Sequence, residues 1–226
     1  MDDLILDARK RGDCYALIAS FLLTEPHADT LGDMIGGLET LLDAMGETYH
    51  PIGIGLSAKA LAKQCAQTFY DVFFVPKSGR YVPPYASSLL DYDPARKQAF
   101  GLLSARTAAQ VQAYYDRVGF DPHALAVFAP WRQVGAADNI GFEFAFLANL
   151  CQQQAREEGE AAKEYERLEA RFLKEQLLPC LPNFTRALSR TDAALYAQVA
   201  QAALLWAQCD DEALSAINER SNRDVN

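Results

Sequence analysis

Apolar residues recur at intervals of three and four along most of the chain, with polar residues between them. Near the amino terminus, Leu17, Ile18, Phe21 and Leu22 fall on one helical face, which predicts a helix ending at Leu23. No segment alternates apolar and polar residues for long enough to predict a strand. The pattern predicts an all-α fold, a single globular bundle of about nine helices. The expected helices span residues 3–23, 29–45, 57–74, 93–118, 138–158, 160–178, 181–188, 191–208 and 210 onward.

Aspartates and prolines indicate where several of these helices should begin or end. Asp93 followed by Pro94 is a strong helix start, because Pro is tolerated at the first helical position. Asp138 is expected to be the N-cap of the fifth helix, and Asp210 the N-cap of the last. Pro130 is expected to break a short helical piece that precedes it.

The helical pattern is interrupted for longest at residues 76–93, which are rich in Pro, Ser, Gly and Tyr. Pro83 and Pro84 exclude a helix at their positions and favour an extended chain. A loop of this length is usually functional or disordered. We expect this long Pro-rich loop to connect the third and fourth helices. Residues 1–226 are expected to form one domain, with residues 119–137 as a candidate hinge.

Charge and cysteine content narrow the classes of function. The 226 residues carry a formal charge of −9, which disfavours nucleic-acid binding. Five widely spaced cysteines form no C-x-x-C pair, and the three histidines share no helix face, so we expect neither a metal nor a cofactor. The chain begins without a basic signal region, and no apolar run is long enough to cross a bilayer. We therefore expect a cytoplasmic protein without stable membrane insertion.

Aromatic residues gather at the end of the third expected helix and in the Pro-rich loop. Tyr70, Phe73 and Phe74 precede the loop, and Tyr81 and Tyr85 lie within it. Such side chains give a large contact area at low entropic cost and suit an apolar peptide. Aromatic residues at helical spacing are, however, usually core residues. Both interpretations remain open at this point.

Acidic residues at the start of the fifth expected helix form a second candidate site. Glu143 lies on the apolar side of that helix, so its carboxyl group must be paired, hydrogen-bonded or protonated. Asp138 and Glu143 could receive a cation or the amides of a bound segment. Alternatively, Asp138 is only a cap and Glu143 holds a neighbouring loop. The charge-dense residues 157–169 are expected to be a solvated helix face.

Three segments occur in the order and separation of the motifs of a known family. Residues 70–74 read Tyr-Asp-Val-Phe-Phe, residues 83–87 read Pro-Pro-Tyr-Ala-Ser, and residues 138–146 read Asp-Asn-Ile-Gly-Phe-Glu-Phe-Ala-Phe. They resemble the aromatic-x-x-Leu-Phe stretch, the Pro-Tyr-Glu-Ser loop and the Asp-His-x-x-x-Glu-Leu-Glu-Phe helix of the TorD/DmsD/NarJ family of redox-enzyme maturation chaperones. The departures from that pattern are Ala86 for Glu, Leu89 for an aromatic residue, Asn139 for His and Ala145 for a second Glu.

The resemblance implies a cytosolic chaperone that is not an enzyme. Such a protein binds the catalytic subunit of a molybdenum-cofactor oxidoreductase or its twin-arginine signal peptide, assists cofactor insertion and delays export. We hypothesise that Asp138 and Glu143 face the arginine pair and that the aromatic residues meet the apolar run. The expected state is a monomer or a domain-swapped dimer. The expected peptide-binding residues are Tyr70, Phe73, Phe74, Pro83, Pro84, Tyr85, Ser87, Asp138, Asn139 and Glu143.

Two other classes of function are weighed against the chaperone. A helical adaptor could use the same loop to bind a folded partner and have no role in export. A nucleotide hydrolase is the third class, but no P-loop, G-x-S-x-G or H-E-x-x-H motif is present.

Overall fold

The computed structural model describes residues 7–223, with side chains described as far as residue 217. Within that range the chain forms helices and no strand, which confirms the all-α prediction. A 3-10 turn at Pro122–Ala124 and a π-helical segment at Leu173–Leu177 supplement ten α-helices. These are α1 Ala8–Leu23, α2 Leu31–Ala44, α3 Ala58–Phe73, α4 Ala86–Leu90, α5 Ala105–Val118, α6 Ala129–Val134, α7 Ile140–Gln154, α8 Gly159–Phe172, α9 Leu181–Ser189 and α10 Ala194–Arg223.

Local capping explains the helix ends that the sequence predicted correctly. The Ser57 hydroxyl accepts a hydrogen bond from the Ala60 N–H and caps α3 as expected. Gly119 ends α5 in the left-handed conformation, at φ 68°, which glycine adopts at little cost. Asp7 caps α1 by accepting from the Lys10 N–H. The predicted start of the first helix at residue 3 lies outside the described residues.

The predicted start of the fourth long helix at Asp93 is wrong. Asp93 instead accepts a hydrogen bond from the Ala95 N–H and closes a local turn, and α5 begins only after Ser104. An Asp side chain competes with helix formation in this way because it offers the backbone an alternative partner. The Pro-rich loop also contains a helix that was not predicted, α4, which begins directly after Tyr85.

Two other predicted boundaries are wrong. Pro130 does not break a helix but occupies the first turn of α6, where its missing N–H costs nothing. Asp210 does not cap a separate last helix, because α10 runs unbroken from Ala194 to Arg223. Its carboxylate is instead bound by residues of α1, so tertiary contacts rather than capping explain an acid at this position.

The core is centred on α7, whose side chains are buried on nearly every face. Helix α1 packs closely along it, because glycines keep the two backbones near each other. A Cβ at Gly12 would lie 3.1 Å from Cys151 Cβ, and one at Gly141 would lie 2.7 Å from Leu23. Helix α8 packs on α7, and α10 packs on α9 and α1. Of the described helices, none is both long enough and apolar enough to span a bilayer.

A buried charge cluster joins α1, α7, α8 and α10. The Arg11 guanidinium lies 2.5 Å from Glu169 Oε2 and 3.5 Å from Asp210 Oδ1. The Tyr15 hydroxyl donates to Asp210 over 2.6 Å, and the Cys151 thiol donates to Glu169 over 3.0 Å. The prediction that residues 157–169 form a solvated face is therefore wrong for Glu169, which is fully buried.

Two carboxyl groups in this cluster share a single guanidinium. Burial raises the pKa of Glu169 to about 8, the Arg11 charge opposes this shift, and the Asp210 charge adds to it. The folded protein therefore holds a proton at Glu169 that the unfolded chain, with an ordinary value of 4.5, releases.

The Pro-rich loop is held to the start of α7 by what we call the latch, the contacts between residues 83–87 and residues 138–140. Tyr85 and Asn139 form an isolated antiparallel bridge, in which the Ala86 N–H donates to the Asp138 carbonyl and the Ile140 N–H to the Pro84 carbonyl. The Asp138 carboxylate accepts from the Ser87 N–H over 3.1 Å and from the Ser87 hydroxyl over 2.6 Å.

The N-cap of α7 is Asn139 and not the predicted Asp138. The Asn139 side chain accepts from the Gly141 N–H and is the N-cap, whereas Asp138 satisfies the first turn of α4. The predicted capping role of Asp138 on α7 is wrong, because its carboxylate is turned to the neighbouring helix.

We predict that the free energy of unfolding falls as the pH rises from about 5.5 to about 7.5. Glu169 holds its proton more tightly in the folded protein than in the unfolded chain. Its contribution to stability is therefore complete below the unfolded pKa of 4.5 and is lost as the pH rises to the folded pKa of about 8. Glu169 alone should contribute a slope of up to about 1.4 kcal/mol per pH unit. Urea unfolding at several pH values measures how the free energy of unfolding changes with pH. Glu169→Gln should reduce the slope by this amount, whereas Glu47→Gln, at an exposed position, should leave it unchanged.

We predict that Ser87→Ala lowers the free energy of unfolding by about 2 kcal/mol, because it removes a buried hydrogen bond to a carboxylate. Ser88→Ala is the matched control, since Ser88 is equally buried but takes no part in the bonds to Asp138. Ser88→Ala should lower the free energy of unfolding by less than about 1 kcal/mol. Equal losses in urea unfolding would show that the latch does not depend on this hydroxyl.

Candidate functional site

The predicted site residues lie together, but most of them are buried. Tyr85, Ser87, Asp138 and Asn139 meet in the latch, and Glu143 lies one helical turn beyond Asn139. Of the ten predicted residues, only two are partly exposed, Tyr70 and Phe74. The structure therefore brings the polar and the proline-bearing members together beneath the surface.

An aromatic cluster connects the end of α3 with the Pro-rich loop. Phe74 packs on Trp131 with ring centroids 4.2 Å apart, and Tyr85 lies edge-on to Trp131 with ring centroids 6.4 Å apart. Trp131 is therefore a packing anchor that links the end of α3 to the Pro-rich loop. The members of the cluster are Phe69, Tyr70, Phe73, Phe74, Tyr85, Phe128, Trp131 and Tyr196.

A cleft opens beside the latch. It has a volume of about 360 Å³ and lies between Tyr81, Pro83, Tyr85 and Ser88 on one side and residues 98–103 on the other. Its lining is mostly apolar and carries no charged side chain.

The rim of the cleft exposes apolar side chains. Leu102 is 77% exposed and Leu103 56%, and Leu90 at the end of α4 is 45% exposed. Residues 98–103 are fixed to α4, since the Gly101 N–H donates to the Ser88 carbonyl and Tyr92 stacks on Phe100. Exposed leucines held in place beside an aromatic cleft are typical of an interaction surface. This surface does not follow from the sequence pattern, which predicts a helix over residues 93–103.

A second cavity of about 300 Å³ lies between α1, α7 and residues 120–127. It is lined by small and apolar residues and also contains no charged side chain. None of the predicted site residues borders it. We therefore place the candidate site at the cleft and the latch.

Glu143 is the most unusual polar group of the site. It is fully buried, and neither carboxyl oxygen has a hydrogen-bond partner among the side chains and backbone that the structure describes. Burial raises its pKa well above the ordinary value, and the nearby charge of Asp138 adds to this. The raised pKa favours the neutral carboxyl group, which can both donate and accept hydrogen bonds.

The latch also shields a second unpaired polar group. The Asn139 side-chain oxygen is used in capping α7, but its amide nitrogen has no partner within the described range. Burial likewise raises the pKa of Tyr85, and the Asn139 side chain, which lies near its hydroxyl without forming a well-aligned hydrogen bond, opposes part of this rise. No group of His, Cys, Asp or Glu side chains with the arrangement of a metal site occurs in residues 7–217.

Comparison with known proteins agrees with this geometry. The nitrate reductase delta subunit family matches residues 29–186, which include the aromatic end of α3, the latch and Glu143. No curated protein sequence matches the chain. The family match covers more than half of the chain and confirms the resemblance found in the sequence. The chain therefore belongs to the nitrate reductase delta subunit family, a family of molybdoenzyme maturation chaperones.

Proposed function

We propose that this protein is a cytosolic chaperone that binds the catalytic subunit of a molybdenum-cofactor oxidoreductase before the cofactor is inserted. The observation that carries the proposal is the family match over residues 29–186, because it spans every predicted site segment. The absence of a recognisable catalytic motif agrees with a binding role.

The proposed client contact is an amino-terminal segment of the catalytic subunit, such as a twin-arginine signal peptide. The protein has a charge of −9, which favours a basic segment. The cleft offers Tyr81, Tyr85 and Phe100 to an apolar run, and Leu102 and Leu103 extend the apolar surface at its rim. Binding there would delay export of the client until the cofactor is in place.

The buried members of the predicted site support the cleft from beneath in this proposal. Phe73 and Pro84 are buried, so the apolar run meets the exposed edge of the aromatic cluster rather than these side chains. Alanine substitution of Phe74 or Tyr85 would also cost about 3 to 5 kcal/mol of stability, since both pack on Trp131. Exposed rim residues therefore provide the cleaner test of binding.

We predict that the client subunit produced without this protein contains far less molybdenum cofactor than the client produced with it. A chaperone that holds the apo subunit open keeps the cofactor site accessible, whereas an adaptor for folded partners does not. Co-purification with the apo subunit, followed by metal analysis of the purified oxidoreductase, measures both binding and loading. Equal cofactor content with and without the protein would exclude the proposed function.

We predict that Leu102→Glu weakens binding of the client segment at least about tenfold while leaving stability unchanged, because the side chain is exposed and loses only its contact with the client. Ile54→Glu is the matched control, since Ile54 is 85% exposed and lies outside the cleft. Titration of a labelled peptide gives both affinities. Equal weakening by the two variants would point to nonspecific charge repulsion and away from the cleft.

A further inference from the structure

The cavity between α1, α7 and residues 120–127 is separate from the cleft, and its walls are fixed in place. The Phe128 N–H donates to the Leu23 carbonyl over 2.9 Å and ties the third wall to the end of α1. Phe120, which borders the cavity, packs on Phe146 with ring centroids 5.4 Å apart. A cavity with such walls is preformed, and its volume of about 300 Å³ lies at the lower end of the range for small-molecule sites.

Small side chains leave this space open. Helices α1 and α7 contribute Ala16, Ala19, Ala145 and Ala148 to its walls. Ala145 stands where the family motif has its second Glu, so this chain has space at a position where the motif has a longer side chain. Helix α1 also lies outside residues 29–186, which match the family. The cavity is therefore a feature of this chain that the family motifs do not account for.

Two carboxamides are the hydrogen-bond donors that remain available in the lining. Asn149 and Gln152 lie three residues apart on α7, so their side chains lie on the same face, and both border the cavity. The hydroxyls of Ser20 and Thr24 also border it, but they already donate to backbone carbonyls of α1. Each carboxamide offers an N–H donor beside a carbonyl acceptor.

The lining disfavours charged ligands. Among the described residues, no Lys, Arg, His, Asp or Glu side chain borders the cavity, so neither an anion nor a cation has a counter-charge there. The larger apolar side chains of the lining are Leu23, Phe120, Leu125 and Val127. A ligand that fits is therefore neutral, with an apolar body and one edge that both donates and accepts hydrogen bonds.

The geometry of a carboxamide selects the kind of edge. A ring holds the N–H and the carbonyl of its amide side by side, so the ring can form two hydrogen bonds with one carboxamide. The trans amide of a polypeptide points these two groups in opposite directions and cannot pair in this way. The carboxamides of Asn149 and Gln152 therefore suit a cyclic amide better than a peptide backbone.

We propose that this cavity is a binding site for a neutral cyclic amide, a ring compound in which an N–H group lies next to a carbonyl group. The apolar body of the ligand contacts Phe120 and Leu125, and its amide edge pairs with Asn149 or Gln152. None of the predicted client-binding residues borders the cavity, so the site is independent of the proposed chaperone function.

NMR titration of the wild-type protein tests the site with three compounds of similar size. 2-Quinolone contains a cyclic amide, quinoline has the same two rings without the amide, and quinoline-2-carboxylate is an anion near neutral pH. We expect 2-quinolone to bind with a Kd of about 1 mM or lower, quinoline to bind at least about fivefold more weakly, and the carboxylate to show no saturation. The side-chain NH₂ signals of Asn149 and Gln152 should shift with 2-quinolone.

Two variants assign the binding to the cavity. Asn149→Leu keeps a side chain of similar size but removes the amide, so it should weaken 2-quinolone binding at least about threefold and leave quinoline binding nearly unchanged. Ala145→Glu places the residue of the family motif in the cavity wall and should weaken both compounds at least about tenfold, because the longer side chain takes up the space. Ala66→Glu is the matched control, since Ala66 is also half-buried but lies on α3 and does not border the cavity. It should bind both compounds as the wild type does.

The comparison of the three compounds requires no variant, so it remains decisive if a variant fails to fold. Absence of saturable 2-quinolone binding overturns the proposal. Equal affinities for 2-quinolone and quinoline, or chemical-shift changes that leave Asn149 and Gln152 unaffected, overturn it as well. None of these results bears on the chaperone function, which is tested with the client at the cleft.

Discussion

The Asp138 carboxylate connects the two parts of the chain on which the candidate site depends. By accepting from the Ser87 N–H and hydroxyl, it satisfies the first turn of α4 and fixes the Pro-rich loop against α7. The cleft exists because of this contact, since one of its walls is the loop that the contact holds in place. Asn139 then takes the capping role that Asp138 has left, and Asn is among the most favourable residues for it.

Two glutamic acids are buried among the residues whose side chains the structure describes, and their surroundings differ. Glu169 has a guanidinium and a thiol as partners and joins four helices. Glu143 has no hydrogen-bond partner among the described residues and lies one helical turn beyond the latch. The first arrangement stabilises the bundle. The second leaves polar atoms unsatisfied, and such sites commonly mark a function rather than a packing requirement.

The sequence predicted the all-α class, the first three helices and the proximity of the three motif segments. It could not predict the start of α5, because Asp93 and Pro94 satisfy the rules of a local turn as well as those of a helix start. The role of Asp210 could not be predicted either. An acid at that position can cap a helix or pair with groups across the core, and residues distant in sequence decide which of the two occurs.

The sequence predicted that the site residues lie close together, but it did not predict how deeply most of them are buried. Helical spacing placed Glu143 on the apolar side of α7 correctly, and full burial follows from that placement. Whether Tyr85 faced solvent or Trp131 could not be read from local pattern, because the answer depends on how α6 packs against α3. The exposed Leu102 and Leu103 were missed because they were assigned to a helix that does not form there.

The contact between α1 and α10 has a consequence for how the protein is made. Tyr15 donates to Asp210, which is separated from it by 195 positions in the chain. During translation, Arg11 and Tyr15 leave the ribosome long before Asp210, so the growing polypeptide carries an unmatched cation and an unfilled helix face until α10 has emerged. At elongation rates of about 5 to 20 residues per second this interval lasts on the order of ten seconds or more. The protein that is proposed to guard an unfinished enzyme is therefore itself unable to complete this part of its own fold until α10 has emerged.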